Sequence, residues 1–436
     1  MSPIVVTILL FSALLLILFA GLPIVFTIGS ISMIAMVILW GPGSLYVAAG
    51  SAWGTMNNFV LIAVPLFIFM GYVLQSSGIA EDLYAVMYAW FGPLRGGLAI
   101  GTVAICAIFA AMAGISGAAT VSMGLIALPA MLKRNYDSDL ALGSIAAGGS
   151  LGIVIPPSLV MIVYCSVVPL SVGKYFAAGV GPGILLAGLF MCYIGIRCLI
   201  DKDLCPAIPP EERKTWGEKF RLLKSVLFPI VIILVVLGSV WSGIATPTEA
   251  AGLGAFACLV AAALHRRLSW PVLREALDGS LRVTCMALWI VIAALCFRSV
   301  YAASGAVDVV STLLASPTNS YVTLIISQLI LLFLGFFLEP IAIVMLGVPI
   351  FWPVMDAIGV NQLWFAALLV MNLNLAYITP PVGFNLFFLG GIVPDSISMK
   401  DIYRSIIPFV FLNLLGIALV IIFPQIALWL PHLLYG

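Results

Sequence analysis

Charge is what this sequence has least of. Only 8% of its 436 residues are charged and 64% are hydrophobic, with a mean hydropathy of +1.25. A soluble domain carries roughly a quarter charged residues to solvate its surface, so that class is excluded. The 18 basic and 17 acidic residues nearly cancel to +1, leaving no excess of either sign for a nucleic acid or other polyanion partner. Histidine is almost absent: His265 stands beside Arg266 and Arg267, and His432 lies near the end of the sequence. No Walker A loop occurs, which argues against direct ATP drive, and no cluster of metal-ligand residues is evident. The eight cysteines never form CxxC and sit mostly in apolar stretches, so they read as small packing residues, with disulfides and metal not expected. Met1-Ser2-Pro3 lacks the basic start of a secretory signal, so the first apolar run is expected to stay as a membrane anchor.

What is there is a succession of long apolar runs. They cover Ile4 to Trp40, broken at Gly21-Leu22-Pro23, then about 58–75, 97–131, 138–168 and 176–200, and after a polar stretch about 223–243, 248–264, 281–303, 320–355, 362–393 and 406–431. A spanning helix needs roughly 20 apolar residues, so about ten to thirteen passes fit. Uniform apolar runs without period-2 alternation select helices over a barrel. The expected fold is therefore an all-α polytopic membrane protein. Residues 201–224 form the one charge-rich stretch, with Lys202, Arg213, Lys214, Lys219, Arg221 and Lys224, and the positive-inside rule places it in the cytoplasm. The same rule places His265-Arg266-Arg267 there, two crossings later, so the two assignments agree.

An internal repeat organises the chain. Pro129 in Ala127-Leu128-Pro129-Ala130-Met131 is followed by Ile155-Pro156-Pro157-Ser158, and Pro353 in Phe351-Trp352-Pro353-Val354-Met355 is followed by Thr379-Pro380-Pro381-Val382. Pro129 and Pro353, and likewise Pro156 and Pro380, stand 224 residues apart, and Ser77-Gly78 finds a counterpart in Ser304-Gly305 at 227. Three ordered landmarks at nearly one offset imply duplication: a first half over 1–200, a linker over 201–224 and a second half over 225–436. An odd number of crossings between the halves would make them inverted; segment counting alone does not fix the parity. Duplicated halves with interrupted segments mark transporters that bind substrate near the midplane, where freed carbonyls coordinate cations and half-helix N-termini attract anions.

The polar residues cluster at those interruptions. Gly114-Ile115-Ser116-Gly117-Ala118-Ala119-Thr120 and Ala147-Gly148-Gly149-Ser150-Leu151-Gly152 carry small residues and hydroxyls where lipid-facing sequence would hold Leu and Ile, a pattern that fits either a binding region or close helix packing. The second break reads Tyr377-Ile378-Thr379-Pro380-Pro381-Val382-Gly383-Phe384-Asn385. A channel would need a continuous polar pore, and clustering at two breaks disfavours it. Gly114-Ile115-Ser116-Gly117 has the look of an intramembrane serine protease, but neither histidine falls on an apolar span, so Ser116 lacks a general base. Arg298 is the basic residue deepest in an apolar run and is a candidate for a substrate carboxylate, or snorkels to the interface. Glu339, before Pro340, fits a solvated loop tip or an ion site; Glu249, after Pro247, fits a helix cap.

At this point the chain resembles the large membrane subunit of tripartite ATP-independent periplasmic (TRAP) transporters. Gly21-Leu22-Pro23, Gly114 to Gly117, Gly152-Ile153-Val154-Ile155-Pro156-Pro157-Ser158, Ala245-Thr246-Pro247-Thr248-Glu249-Ala250-Ala251 and Thr379-Pro380-Pro381-Val382-Gly383 carry the resemblance along nearly the whole chain. It implies two inverted repeats in an elevator-type carrier, a scaffold and a mobile transport domain with two re-entrant helical hairpins whose tips meet around the substrate. It also implies a sodium-driven importer of carboxylates in the bacterial inner membrane, served by a periplasmic binding protein, with no cofactor beyond sodium as coupling ion. A small four-helix membrane subunit is expected as a separate chain. Mapped by motif, one sodium site would involve Ser116, Gly117, Gly152 and Pro156 and a second Glu339, Thr379, Pro380 and Gly383, with Ser116, Arg298, Thr379 and Asn385 as substrate contacts. Many relatives carry Ser-Gly-Ser where this sequence has Ser116-Gly117-Ala118, one hydroxyl fewer. A stand-alone sodium–dicarboxylate carrier is the alternative.

Overall fold

Proline and glycine set the helix boundaries of this chain. In the computed structural model, which describes residues 2–114, 116–307, 309 and 319–436, Ile115 of the Gly114–Gly117 motif lies outside the described residues. Among those described, the chain forms twenty α-helices, a few short 3-10 turns and no strand. The first ten are α1 (Pro3–Phe19), α2 (Ile24–Trp40), α3 (Tyr46–Met56), α4 (Ala63–Ser76), α5 (Ile79–Phe91), α6 (Gly97–Ala113), α7 (Ser116–Lys133), α8 (Ser138–Ser150), α9 (Leu159–Val167) and α10 (Val172–Ile200). The second ten are α11 (Trp216–Leu222), α12 (Lys224–Trp241), α13 (Pro247–Leu264), α14 (Trp270–Ala303), α15 (Ser320–Gly335), α16 (Pro340–Ala357), α17 (Gln362–Ile378), α18 (Phe384–Gly390), α19 (Met399–Ile422) and α20 (Gln425–Tyr435). Eight helical stretches are long and apolar enough to cross a membrane by themselves, and five more apolar helices are shorter.

Local chemistry explains the punctuation. Thr246 caps α13, Pro247 occupies its first turn, and the Glu249 carboxylate returns to Thr246 N at 2.7 Å, a capping box that accounts for the Thr-Pro-Thr-Glu run. The thirteen residues of α8 rise only about 20 Å, short of a bilayer core of about 30 Å. The crossing is completed only after a break: a 3-10 turn at Leu151–Ile153, the Pro156–Pro157 peptide in cis, and a restart at α9. The second half interrupts in the same way between α17 and α18, with Pro380–Pro381 also in cis. Helix for helix, α6, α7, α8 and α9 begin 223, 224, 224 and 225 residues before α15, α16, α17 and α18.

The segment 201–224 is tied down over most of its length. Leu204 O accepts from Asp137 N at 2.8 Å, Cys205 O from Gly96 N at 3.1 Å, and Ile208 N donates to Gly92 O at 3.0 Å. Glu212 pairs with Arg134, whose guanidinium holds that carboxyl below its usual range. After a Thr215–Glu218 capping box, α11 runs almost directly into α12. Elsewhere Arg404 bonds Asp139 across α19 and α8, and Arg267 bridges Asp82 at 3.0 Å and the Ser77 carbonyl.

Around the first break, small residues let backbones close on one another. A methyl group at Gly149 would sit 1.9 Å from Thr120 Oγ1 and 2.9 Å from Thr120 Cα, so α7 and α8 touch only because that position is bare. Gly149→Ala is expected to destabilise the protein by about 1–3 kcal/mol, the usual cost of overpacking. Gly252→Ala in α13, where nothing lies within 4 Å, serves as the neutral control. Thermal unfolding in detergent measures both, and equal melting temperatures would contradict the packing.

Candidate functional site

Two helix starts face each other. Gly114 closes α6 with φ of +64°, a left-handed conformation that suits glycine, and a methyl there would lie 2.6 Å from Pro157 O. Its carbonyl accepts from Leu159 N at 3.3 Å, so the chain leaving α6 is sewn to the restart at α9. Ser116, 3% exposed, then opens α7. Across from it, Glu339 holds the extended residue before α16, and Pro340 supplies that helix's first turn. Ser116 and Pro340 are repeat equivalents, 224 residues apart.

Between these starts lies a cavity of about 350 Å³. Gly114, Ser116, Gly117, Gly152, Glu339, Pro340 and Tyr377 form its polar end, Tyr72 and Gln75 of α4 its side, and Ile153, Leu159, Val160, Met286 and Phe388 its apolar wall. Tyr377 and Ser116 meet side chain to side chain. Gly117 has to be bare, because a methyl would come within 3.1 Å of the Phe388 ring.

The electrostatics are spare. Glu339 is the only charged residue among those lining the cavity, and its Oε2 is buried with no hydrogen-bond partner among the described residues. A buried carboxylate oxygen without a partner is costly and therefore receptive to a cation. The N-termini of two eighteen-residue helices, α7 and α16, supply partial positive charge, about half an elementary charge each, suited to an anion. The space is thus built for a cation and an anion side by side.

Ser116, Gly117, Gly152 and Glu339, all expected from the sequence, converge here. Others stand elsewhere. Pro156 faces a separate apolar space with Ile155, Val180 and Trp241. Thr379 turns its hydroxyl back to Leu375 O at 2.6 Å, and Pro380 and Gly383, the latter at φ +51°, shape the second break without lining the cavity. Asn385 is fully buried: it accepts from Thr120 Oγ1 at 2.7 Å and donates to Ala146 O at 2.6 Å, joining the second break to α7 and α8. Arg298 is exposed in a groove with Tyr46, Ser51 and Ser299, away from the cavity. Sequence reasoning did not single out Tyr377, Tyr72 and Gln75. Tyr377 was visible as the aromatic two residues before Thr379, and Gln75 as an isolated amide closing an apolar run.

Comparison with known proteins adds an independent line. A family model described as "Tripartite ATP-independent periplasmic transporter, DctM component" matches residues 11–426. The C4-dicarboxylate TRAP transporter large permease protein DctM of Pseudomonas aeruginosa is similar at 32% identity, covering 91% of this chain and 92% of that protein. The sialic acid TRAP transporter large permease protein SiaM of Vibrio cholerae is 29% identical over 96% of this chain and 97% of that one. Among solved structures, MtrF of Neisseria gonorrhoeae, described as an antimetabolite efflux pump, shares the fold with a TM-score of 0.62 at 13% identity, covering 90% of this chain and 85% of that one.

The placement of Asn385 yields a test. Asn385→Leu strands the Thr120 hydroxyl and the Ala146 carbonyl in the interior, which costs about 1–3 kcal/mol for each buried group left unpaired. A lowered unfolding temperature is expected, measured beside Thr120→Ala. Additive losses in the double variant would show that the two side chains do not act as one link.

Proposed function

Because the chain belongs to the tripartite ATP-independent periplasmic transporter family, as its DctM component, or large permease subunit, we propose that it imports a small organic acid, its carboxylate bound between the N-termini of α7 and α16 and its entry driven by sodium. The chain is a multi-pass protein of the bacterial inner membrane and a transport protein, not an enzyme. The observation that carries the reading is the single cavity where equivalent helix starts from both repeats meet beside the unpaired Glu339 oxygen.

The energetics connect ion and substrate. A cation about 4 Å from a carboxylate is worth about 4 kcal/mol at an effective dielectric constant of about 20, on the order of a thousandfold in affinity. Linkage is reciprocal, so each ligand tightens the other. Without the cation, Glu339 repels an incoming anion, and binding of substrate alone is disfavoured. In this reading Ser116, Gly117 and Gly152 hold one sodium with backbone and hydroxyl oxygens near Pro156, and Glu339 with the break at Thr379, Pro380 and Gly383 serves a second. Ser116 also reaches the substrate. Arg298, exposed on α14, is assigned no contact with it, and Asn385 acts by fixing the second break.

The halves, 1–200 and 225–436, are proposed as inverted repeats joined by a cytoplasmic segment 201–224, each giving helices to a scaffold and a hairpin to a mobile transport domain. Two partners complete the system: a periplasmic binding protein that delivers the acid and a small four-helix membrane subunit as a separate chain. The carboxylates in the C4-dicarboxylates and sialic acid for which the relatives are named support an organic acid as cargo.

Uptake of labelled organic acids into proteoliposomes holding this chain and its small partner tests the proposal. Uptake is expected only with both the binding protein and an inward sodium gradient, and Glu339→Gln is expected to lower sodium-stimulated uptake about tenfold, equivalent to about 1.4 kcal/mol. Uptake independent of the binding protein would instead make this a stand-alone carrier, and full sodium stimulation of Glu339→Gln would remove the carboxylate from the ion path.

A further inference from the structure

The last turn of α10 and the segment that follows it bring two thiols together. α10 ends at Ile200, and the Asp201 carboxylate accepts from Asp203 N at 3.2 Å, a side-chain turn that reverses the chain. Cys205 thereby returns against Cys198, seven residues earlier. Gly96 touches both: its N–H donates to Cys205 O at 3.1 Å, and a methyl on it would lie 2.6 Å from Cys198 Sγ. The two thiols are in hydrogen-bonding contact with each other and are buried, at 1% and 0% exposure. Residues 201 to 203 beside them are exposed. No other use for this pair arises in transport, since it stands apart from the cavity.

We propose that Cys198 and Cys205 are an oxidation-sensitive dithiol that closes to a disulfide and staples the linker to the end of α10. In a reducing cytoplasm the pair rests as two thiols. With a low-molecular-weight disulfide as oxidant, one thiolate attacks it and releases one small thiol. The second thiolate then displaces the other small thiol, so two protein thiols are oxidised and one small disulfide is reduced to two thiols. Burial slows the first attack, and the exposed turn at 201–203 is the route by which the pair is reached. The crosslink lies next to Leu204, whose carbonyl holds the turn before α8, and close to Ile208, whose amide holds Gly92 after α5. Closure therefore makes permanent the anchoring of the segment on which α7 and α8 rest.

The test uses the whole chain in membranes, with the exposed Cys192 and Cys285 changed to serine to silence them. Diazenedicarboxamide serves as the probe oxidant: its N=N bond takes up the two electrons and two protons that the thiols give up. After acid quench, unfolding and alkylation with a polymer-linked maleimide, six labels are expected on the reduced protein and four on the oxidised one. Peptide mass mapping should find residues 198 and 205 joined. Adding Cys198→Ser should give five labels in both states. Six labels after oxidation, or a joined pair at any other positions, would overturn the proposal, and neither readout depends on the serine variant folding.

Discussion

A backbone that interrupts its helix inside hydrocarbon must find new partners for the amides and carbonyls it frees, because no water is there to take them. The two Pro–Pro breaks meet this demand by leaning on neighbours. Leu159 N, freed at the first break, bonds Gly114 O at the junction of α6 and α7. At the second, the side chain of Asn385 carries the burden, tying the restart at α18 to Thr120 and to the Ala146 carbonyl. Each break is thus held by a segment that also frames the cavity. Bare α-carbons at Gly114, Gly117 and Gly149 permit the approach, and small residues accordingly crowd the stretches 113–122 and 147–152.

From this packing comes the electrostatic character of the site. Proline cannot donate, and helix starts leave their first amides without intrahelical partners, so starting α7 and α16 at one cavity concentrates positive potential there without a cationic side chain. Glu339 then stands alone as the fixed charge in the lining. A fixed Arg would bind an anion whether or not a cation were present. An unpaired carboxylate flanked by helix starts binds an anion well only with a cation, and that conditional affinity is what a coupled carrier needs.

Much of this was legible from residues alone, and the remainder fails for identifiable reasons. Offsets between prolines revealed the repeat because proline fixes φ and removes a donor, marking the same backbone event twice. Pro247 followed by Glu249 foretold a helix cap, and the capping box bears this out. Spacing says where a helix breaks but not which face of the break looks inward, so Gly152 and Pro156, four residues apart in one motif, face different spaces. Arg298 drew notice as a charge in an apolar run, yet burial is a property of the surrounding helices, and α3 leaves an open groove beside it. Tyr72 and Gln75 reach the cavity from α4, more than 200 residues from Glu339, and no local pattern announces such a meeting.

The most direct test of the central idea, that the cavity between the starts of α7 and α16 holds the anion, is a structure of this chain with an organic acid and sodium bound. The account predicts the carboxylate within hydrogen-bonding distance of the first amides of α7 and α16, with cation density beside Glu339. Carboxylate density against Arg298, or at Thr379–Gly383 with the cavity empty, would contradict it.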